Sequence, residues 1–240
     1  IIMKTQEKNF DGIKLSGFTA ILIMLALTGT AIYLLSLPQT PSIIAGVICG
    51  ICVVVMLPGF MIIQPNNSRV LTFFGRYAGT VISNGFYWVN PLFLKSTVTL
   101  RILNLNIDPI KVNDKVGNPI MIGAVVVWRI KDTYKASFDI SGNIREFVQI
   151  QSDAALRQVA GMYAYDTNET IDKVTLRSDE SGEITQRLED ELNSRLAIAG
   201  IEIVEARINY LAYASEIASV MLRRQQADAI ISARERIVEG

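Results

Sequence analysis

Hydrophobic and polar positions along this chain fall into three regimes: one long apolar stretch, then short alternating runs, then runs with a helical period. Between Lys14 and Arg69 there is no Asp, Glu, Lys or Arg, a charge-free run of 54 residues split into two arms by Pro38-Gln39-Thr40-Pro41. Leu15 to Leu37 is 23 residues. As a helix it reaches about 34 Å at roughly 1.5 Å per residue, longer than a hydrocarbon core of roughly 30 Å. The second arm, Ser42 to Ile63, is equally apolar, but Gly46 and Gly50 lighten it and Pro58-Gly59 interrupts it. Two readings of it stay open, a second crossing or a segment that dips in and returns. A turn this short holds no cleavage site, so the pattern predicts a retained hairpin over 15–63 rather than a signal peptide. The tail 1–14 and everything after Arg69 then lie on one side.

From Phe60 the apolar runs shorten to strand length. Met61-Ile62-Ile63 and Arg69 to Phe74 read as strands separated by the turn Pro65-Asn66-Asn67-Ser68. Gly75, Gly79, Gly85 and Pro91 punctuate the residues after Phe74, and Phe86-Tyr87-Trp88 sets three aromatics close behind the anchor. These rings suit either the headgroup level of a membrane or the underside of the domain's own sheet. Thr97 to Ile107 alternates on Val98, Leu100 and Ile102, then shifts phase to Leu103, Leu105 and Ile107, which predicts a bulge or bend. Asn113 to Pro119 reads as a hairpin connection into Ile120 to Ile130, a strand apolar on both faces and therefore central. Connections this short call for an antiparallel sheet.

Beyond Trp128 the period lengthens. Ile144, Phe147, Val148, Ala155 and Val159 mark one face of a helix from about Asn143 to Met162. Ile184, Leu188, Leu192 and Leu196 recur every fourth residue in a helix from about Gly182 to Ala199, with Gly200 as its stop. Ile201 to Leu211 alternates as a half-buried strand, and a last helix runs from near Ala214 to Val238 without Pro or Gly. Its apolar positions, Ile217, Met221, Ile231 and Val238, form a stripe too sparse to bury against a globular body, which points to helix-to-helix assembly. Its charges alternate in sign, as in Arg224 and Asp228, and read as a solvated face rather than an anion-binding patch.

Charge adds sidedness and removes one partner class. Lys4, Lys8, Lys14, Arg69 and Arg76 flank the apolar run, a bias toward the cytoplasmic face of a cell membrane. After position 68 the chain has 20 basic and 21 acidic residues, so no net positive field draws nucleic acid. The chain contains no histidine, which excludes Ser-His-Asp and Cys-His nucleophile arrangements. Both cysteines stand in Cys49-Gly50-Ile51-Cys52. In a soluble setting that spacing suggests a redox pair; inside an apolar arm a thiolate is poorly solvated, and two small residues packing against the first arm is the better account, with acylation near the bilayer edge a third. No metal, cofactor or catalytic set is expected. A hydrolase of Ser-Lys type survives the residue census, but Lys95-Ser96 is no support for it, since neighbours on a strand face opposite sides. A modulatory subunit of a channel or transporter is the other alternative; the arms carry no ionisable group to mark an ion path.

Several local strings, in order, resemble the stomatin/prohibitin/flotillin (SPFH, or Band 7) family. Phe74-Gly75-Arg76, Gly79-Thr80, Gly85-Phe86-Tyr87-Trp88 and Pro91 look like that family's opening. Val125 to Asp132, including Trp128, with Ala136-Ser137-Phe138, is similar to its central strand and short helix. Leu156-Arg157-Gln158-Val159, Gly200-Ile201-Glu202-Ile203 and Ile237-Val238-Glu239-Gly240 match later family strings. The chain departs from the family at Tyr213-Ala214-Ser215, where a proline is usual, and in the turn at Asn113 to Pro119.

The resemblance implies an α+β domain over 64–212, seated on the membrane and followed by the start of a helical oligomerisation arm over 213–240. It further implies a non-enzymatic scaffold that assembles into a ring or cage, organises membrane microdomains, and restrains or guides membrane partners such as proteases. The expected partners are therefore the lipid bilayer, further copies of the chain, and a membrane protease or other membrane protein.

Overall fold

The computed structural model describes residues 7–166, 174–178 and 182–239. It is α+β, with two apolar helices followed by antiparallel sheets, packed helices and a last long helix. The chain divides into two compact units. One comprises the residues up to Arg101 together with Ile130–Asp139; the other comprises Ile102–Arg129 and everything from Ile140.

The first unit opens with strand β1 (Lys14–Ser16), helix α1 (Gly17–Leu35) and helix α2 (Thr40–Met56). A 3-10 turn over Leu57–Gly59 ends the second helix where Pro58 removes a backbone donor. Five strands come next: β2 (Phe60–Ile63), β3 (Asn67–Phe73), β4 (Arg76–Val81), β5 (Gly85–Val89) and β6 (Phe93–Thr99). Together with β1 they make two three-stranded sheets, ordered β1-β5-β2 and β4-β3-β6, each antiparallel throughout. Met61, Ile63, Leu71, Val81 and Val89 form a small core, and Phe10, Ala78, Tyr87 and Phe93 pack against it. The short helix α3 (Thr133–Phe138) starts where the Asp132 side chain accepts from the Lys135 amide.

The second unit is a sheet ordered β7-β8-β9, from β7 (Leu103–Asn113), β8 (Pro119–Ile130) and β9 (Ile201–Tyr213). β8 pairs antiparallel with β7. The Ala214 amide, just past β9, donates to the carbonyl of Pro119, and Arg129 bonds Glu202 at the far ends, so β8 and β9 also run in opposite directions. Helices α4 (Ile144–Ala160) and α5 (Glu183–Leu196) pack together, α4 on β7 and α5 on β9. Ile184, Leu188, Leu192 and Leu196 are all buried. Each contributes on the order of 1.5–3 kcal/mol of apolar burial, so α5 is held by its stripe rather than by intrinsic propensity. The last helix, α6 (Ser215–Glu239), continues directly from β9.

Three features differ from the sequence expectation. The phase shift near Ile102 is a break between two strands, not a bulge within one: β6 ends at Thr99 in the first unit and β7 begins at Leu103 in the second. The alternation restarts because the chain enters a different sheet. Leu15, expected in the first membrane arm, lies in β1, and Ile63, which the sequence sets both at the end of the second arm and in a strand over Met61-Ile62-Ile63, is in the strand β2 and buried. Hydropathy does not separate a strand from a membrane helix when both are apolar, whereas Gly17 and Pro58 mark the change of geometry.

Candidate membrane interface and assembly surface

α1 and α2 are long and apolar enough to cross a membrane, with mean hydropathy 2.2 over Gly17–Leu35 and 2.4 over Thr40–Gly59. Their outward residues are large and exposed, among them Phe18, Leu22, Leu25, Ile44 and Val54. The buried residues of the two helices are all small: Gly17, Ala20, Ala31 and Gly46. A Cβ added at Gly46 meets Leu35 Cγ at 2.8 Å and the Ala31 carbonyl oxygen at 3.1 Å, so the helices touch almost backbone to backbone. Small residues at the contact and large ones outside are the pattern of helices packing in lipid, where van der Waals fit rather than water exclusion drives association. Leu37 lies past the end of α1, and Ser42 sits in the first turn of α2. Both cysteines are free, with Cys49 half-buried and Cys52 exposed. Gly46→Val should push the helices apart at a cost of roughly 1–3 kcal/mol. The check is alkylation by N-ethylmaleimide in detergent, where Cys49 reacts more slowly than Cys52 in the parent protein and at a similar rate in the variant.

The roots of this hairpin are held by one strand. β5 pairs with β1 on one side, Leu15 opposite Trp88, and with β2 on the other, Phe60 opposite Trp88 and Ile62 opposite Phe86. The alternation of a pleated sheet therefore puts Leu15, Phe60, Ile62, Phe86 and Trp88 on one face and Met61, Ile63, Tyr87 and Val89 on the core face. The Phe86 ring stacks on Phe60 at 5.5 Å and meets Phe18 of α1 edge-on, also at 5.5 Å. Trp88 Nε1 donates to the Met56 carbonyl at the end of α2, 2.9 Å away. Gly17 and Gly59 leave room for these two rings, since a Cβ at either falls within 2.3 Å of ring atoms. Phe86 and Trp88 thus pack against the hairpin, while Tyr87 between them turns to the core face.

The N-terminal tail contributes a contact that the sequence did not announce. The Phe10 amide donates to the Thr80 carbonyl and the Thr80 amide to the Lys8 carbonyl, both at 3.0 Å, adding Lys8 to Phe10 beside β4. Gly79 explains its place here, because a Cβ at that position comes within 2.7 Å of the Phe10 Cα. The Thr80 hydroxyl lies 2.9 Å from that of Thr133, which donates to the Glu7 carboxylate at 2.7 Å. Phe10 is the tail's one signal, a lone aromatic among polar residues.

The other motif residues fall on turns and strands. Phe74 and Gly75, at φ 45° and 81°, form the two-residue turn between β3 and β4, and Arg76 opens β4 opposite Phe73. Gly85 opens β5 opposite Ile63, and Pro91 lies in the turn to β6. Trp128 is buried in β8, outside the first unit, and among the described residues its indole nitrogen has no hydrogen-bond partner.

Lys95 of β6 reaches the same root. Its ammonium donates to the carbonyls of Pro58 and Phe60. Burial, and then the nearby Arg69 guanidinium, push its pKa below the usual lysine value. Ser96 is its neighbour on the strand and pairs with Val70 while Lys95 pairs with Leu71, so the two side chains face opposite sides.

α6 is tied down at its start. The Lys111 ammonium meets the Glu216 carboxylate at 2.5 Å, Ala214 is buried, and the Tyr213 ring lies 4.0 Å from that of Tyr165. Farther along, Val220, Leu222 and Ile230 are exposed, whereas Ile217 and Met221 are half-buried. Ile231 and Val238 belong to α6, but their side chains lie outside the described residues. Among the described residues no group of His, Cys, Asp and Glu is placed to hold a metal.

No individually curated protein matches the chain. Among protein-family profiles, residues 61–240 match the SPFH domain / Band 7 family, a span that starts in β2 and includes every strand and helix after it. The chain therefore belongs to the SPFH domain / Band 7 family of membrane-associated scaffolds.

Proposed function

We propose that this protein is a non-enzymatic scaffold whose hairpin anchors it and whose last helix joins copies into a ring or cage. Such an assembly organises the surrounding membrane and restrains or guides membrane partners, a protease among them. The observation that carries the reading is α6. Its principal contact is with β9, while Val220, Leu222 and Ile230 stand exposed along a 25-residue helix. Exposed apolar side chains on a helix that leaves its domain acquire burial when copies meet. Lys8, Lys14, Arg69 and Arg76 around the hairpin roots support a cytoplasmic position for the domain.

A Ser-Lys hydrolase is less well supported: Lys95 is occupied by two main-chain carbonyls and Ser96 faces away from it. Labelling with a fluorophosphonate probe, lost on a single Ser substitution, would revive that reading. The uncharged hairpin gives a channel subunit no ion path of its own.

The scaffold reading is tested by disulfide trapping in native membranes. With Cys49 and Cys52 replaced by Ser, Val220→Cys, Leu222→Cys and Ile230→Cys are oxidised in turn. Covalent dimers from at least one are expected; their absence from all three contradicts assembly through α6.

A further inference from the structure

A cavity of about 320 Å³ lies in the first unit between β2 and the β3-β6 pair. Its polar wall is Gln64, Asn67, Ser68, Arg69 and Thr97, and β2 supplies the apolar side. Among the described residues no carboxylate lines it, and Arg69 is its only ionised residue. The Arg69 Nε is buried without an acceptor, and among the described residues this guanidinium makes no ion pair. Arg69 itself is half-buried, but a buried N–H left without an acceptor is costly, and a planar guanidinium in a polar cavity matches the geometry of a phosphate better than that of any neutral ligand.

Position narrows the source of such an anion. Arg69 pairs with Thr97, and Lys95, two residues along β6, shares their face of the sheet. Two strand residues span about 6.6 Å. Lys95 in turn touches the carbonyls of Pro58 and Phe60, where the hairpin ends. Arg69 thus shares a sheet face with the lysine that meets the end of the apolar arm. Ile62 is 64% exposed on the same apolar floor as Phe60 and Phe86. Arg69 and Lys95 are two cations with no acid between them on this face, and the field of the second makes the first a stronger anion receptor.

We propose that this cavity binds a phosphate group through the Arg69 guanidinium, with Asn67 and Thr97 as further polar contacts. The chemistry is shared by two sources, an anionic lipid headgroup and inorganic phosphate. The first rests on the membrane reading above, whereas the second does not, so failure of the anchor and failure of the site are distinguishable.

The test titrates the full chain in a non-ionic detergent with dihexanoyl-phosphatidylglycerol and, separately, with inorganic phosphate, by isothermal calorimetry. Arg69→Gln should weaken binding at least tenfold, and Arg69→Lys should lie between the two. Thr97→Glu places a carboxylate directly opposite Arg69, so it should abolish binding while raising the melting temperature. That variant keeps the test decisive if Arg69→Gln folds poorly. Arg69-dependent binding of the lipid supports a headgroup site, and Arg69-dependent binding of inorganic phosphate alone supports the site with a soluble source. Binding of neither, or lipid binding that both Arg69→Gln and Thr97→Glu leave unchanged, overturns the proposal.

Discussion

Replacing Leu188 with alanine should lower the stability of the second unit by roughly 3–5 kcal/mol, the largest loss expected from any single truncation in α5. Leu188 is 1% exposed, in the middle of the stripe Ile184, Leu188, Leu192 and Leu196, on a helix that packs against both α4 and β9. Packing against both elements limits how far the site can collapse, so most of the lost side-chain volume stays behind as a cavity. A domain of this size has only about 5–15 kcal/mol in total, and such a loss leaves the unit marginal. Trp128, buried in the same unit on β8, reports the transition. In a Trp88→Phe background, its fluorescence during urea unfolding in detergent should show a clearly lower midpoint for Leu188→Ala. Arg187→Ala, an exposed neighbour on the same helix, should stay within about 0.5 kcal/mol of the parent.

The second large effect is all-or-none. Because β5 pairs with both β1 and β2, the residues before α1 and after α2 must lie on the same side of whatever the hairpin enters. This constraint is independent of the flanking charges and stronger than they are, since it rests on main-chain hydrogen bonds. Single cysteines are introduced at Lys8, Ser96 and Gln39 with Cys49 and Cys52 replaced by Ser, and sealed vesicles are treated with an impermeant maleimide. Lys8→Cys and Ser96→Cys should react from one and the same side, and Gln39→Cys, in the turn between the helices, only from the other. Reaction of Gln39→Cys from the side of Ser96→Cys would mean that the hairpin dips in without crossing.

Which parts are legible in the sequence depends on what each pattern encodes. The α5 stripe and the two-faced apolar β8 are local periodicities, and they map directly onto a buried helix face and a central strand. The small residues of α1 and α2 are visible, but not that Gly46 brings the helices together, because that depends on which residue of the partner helix stands opposite. The pairing of β1 with β5 is not legible at all. It joins residues more than 70 positions apart, and a three-residue strand has no periodicity of its own. The same holds for the tail beside β4, where Gly79 is visible as a turn signal and its actual reason, the close approach of Phe10, is not. At the C-terminus the sparse apolar content of the last helix does translate into exposure, at Val220, Leu222 and Ile230, although those residues are not the ones singled out by spacing. A uniformly mixed helix has no dominant face, so its exposed positions depend on the direction in which Ala214 and the Lys111–Glu216 pair launch it.

An anchored hairpin and a self-assembling helix in the same chain can be tested by one measurement. The full chain is extracted from native membranes directly into polymer-bounded lipid discs, without detergent, and the mass of the particles is determined by mass photometry. The expected result is a discrete particle containing several copies together with lipid, shifted to smaller mass when Val220, Leu222 and Ile230 are all replaced by Glu. A single copy per disc at native abundance, unchanged by those substitutions, would contradict a membrane-anchored assembly built through α6.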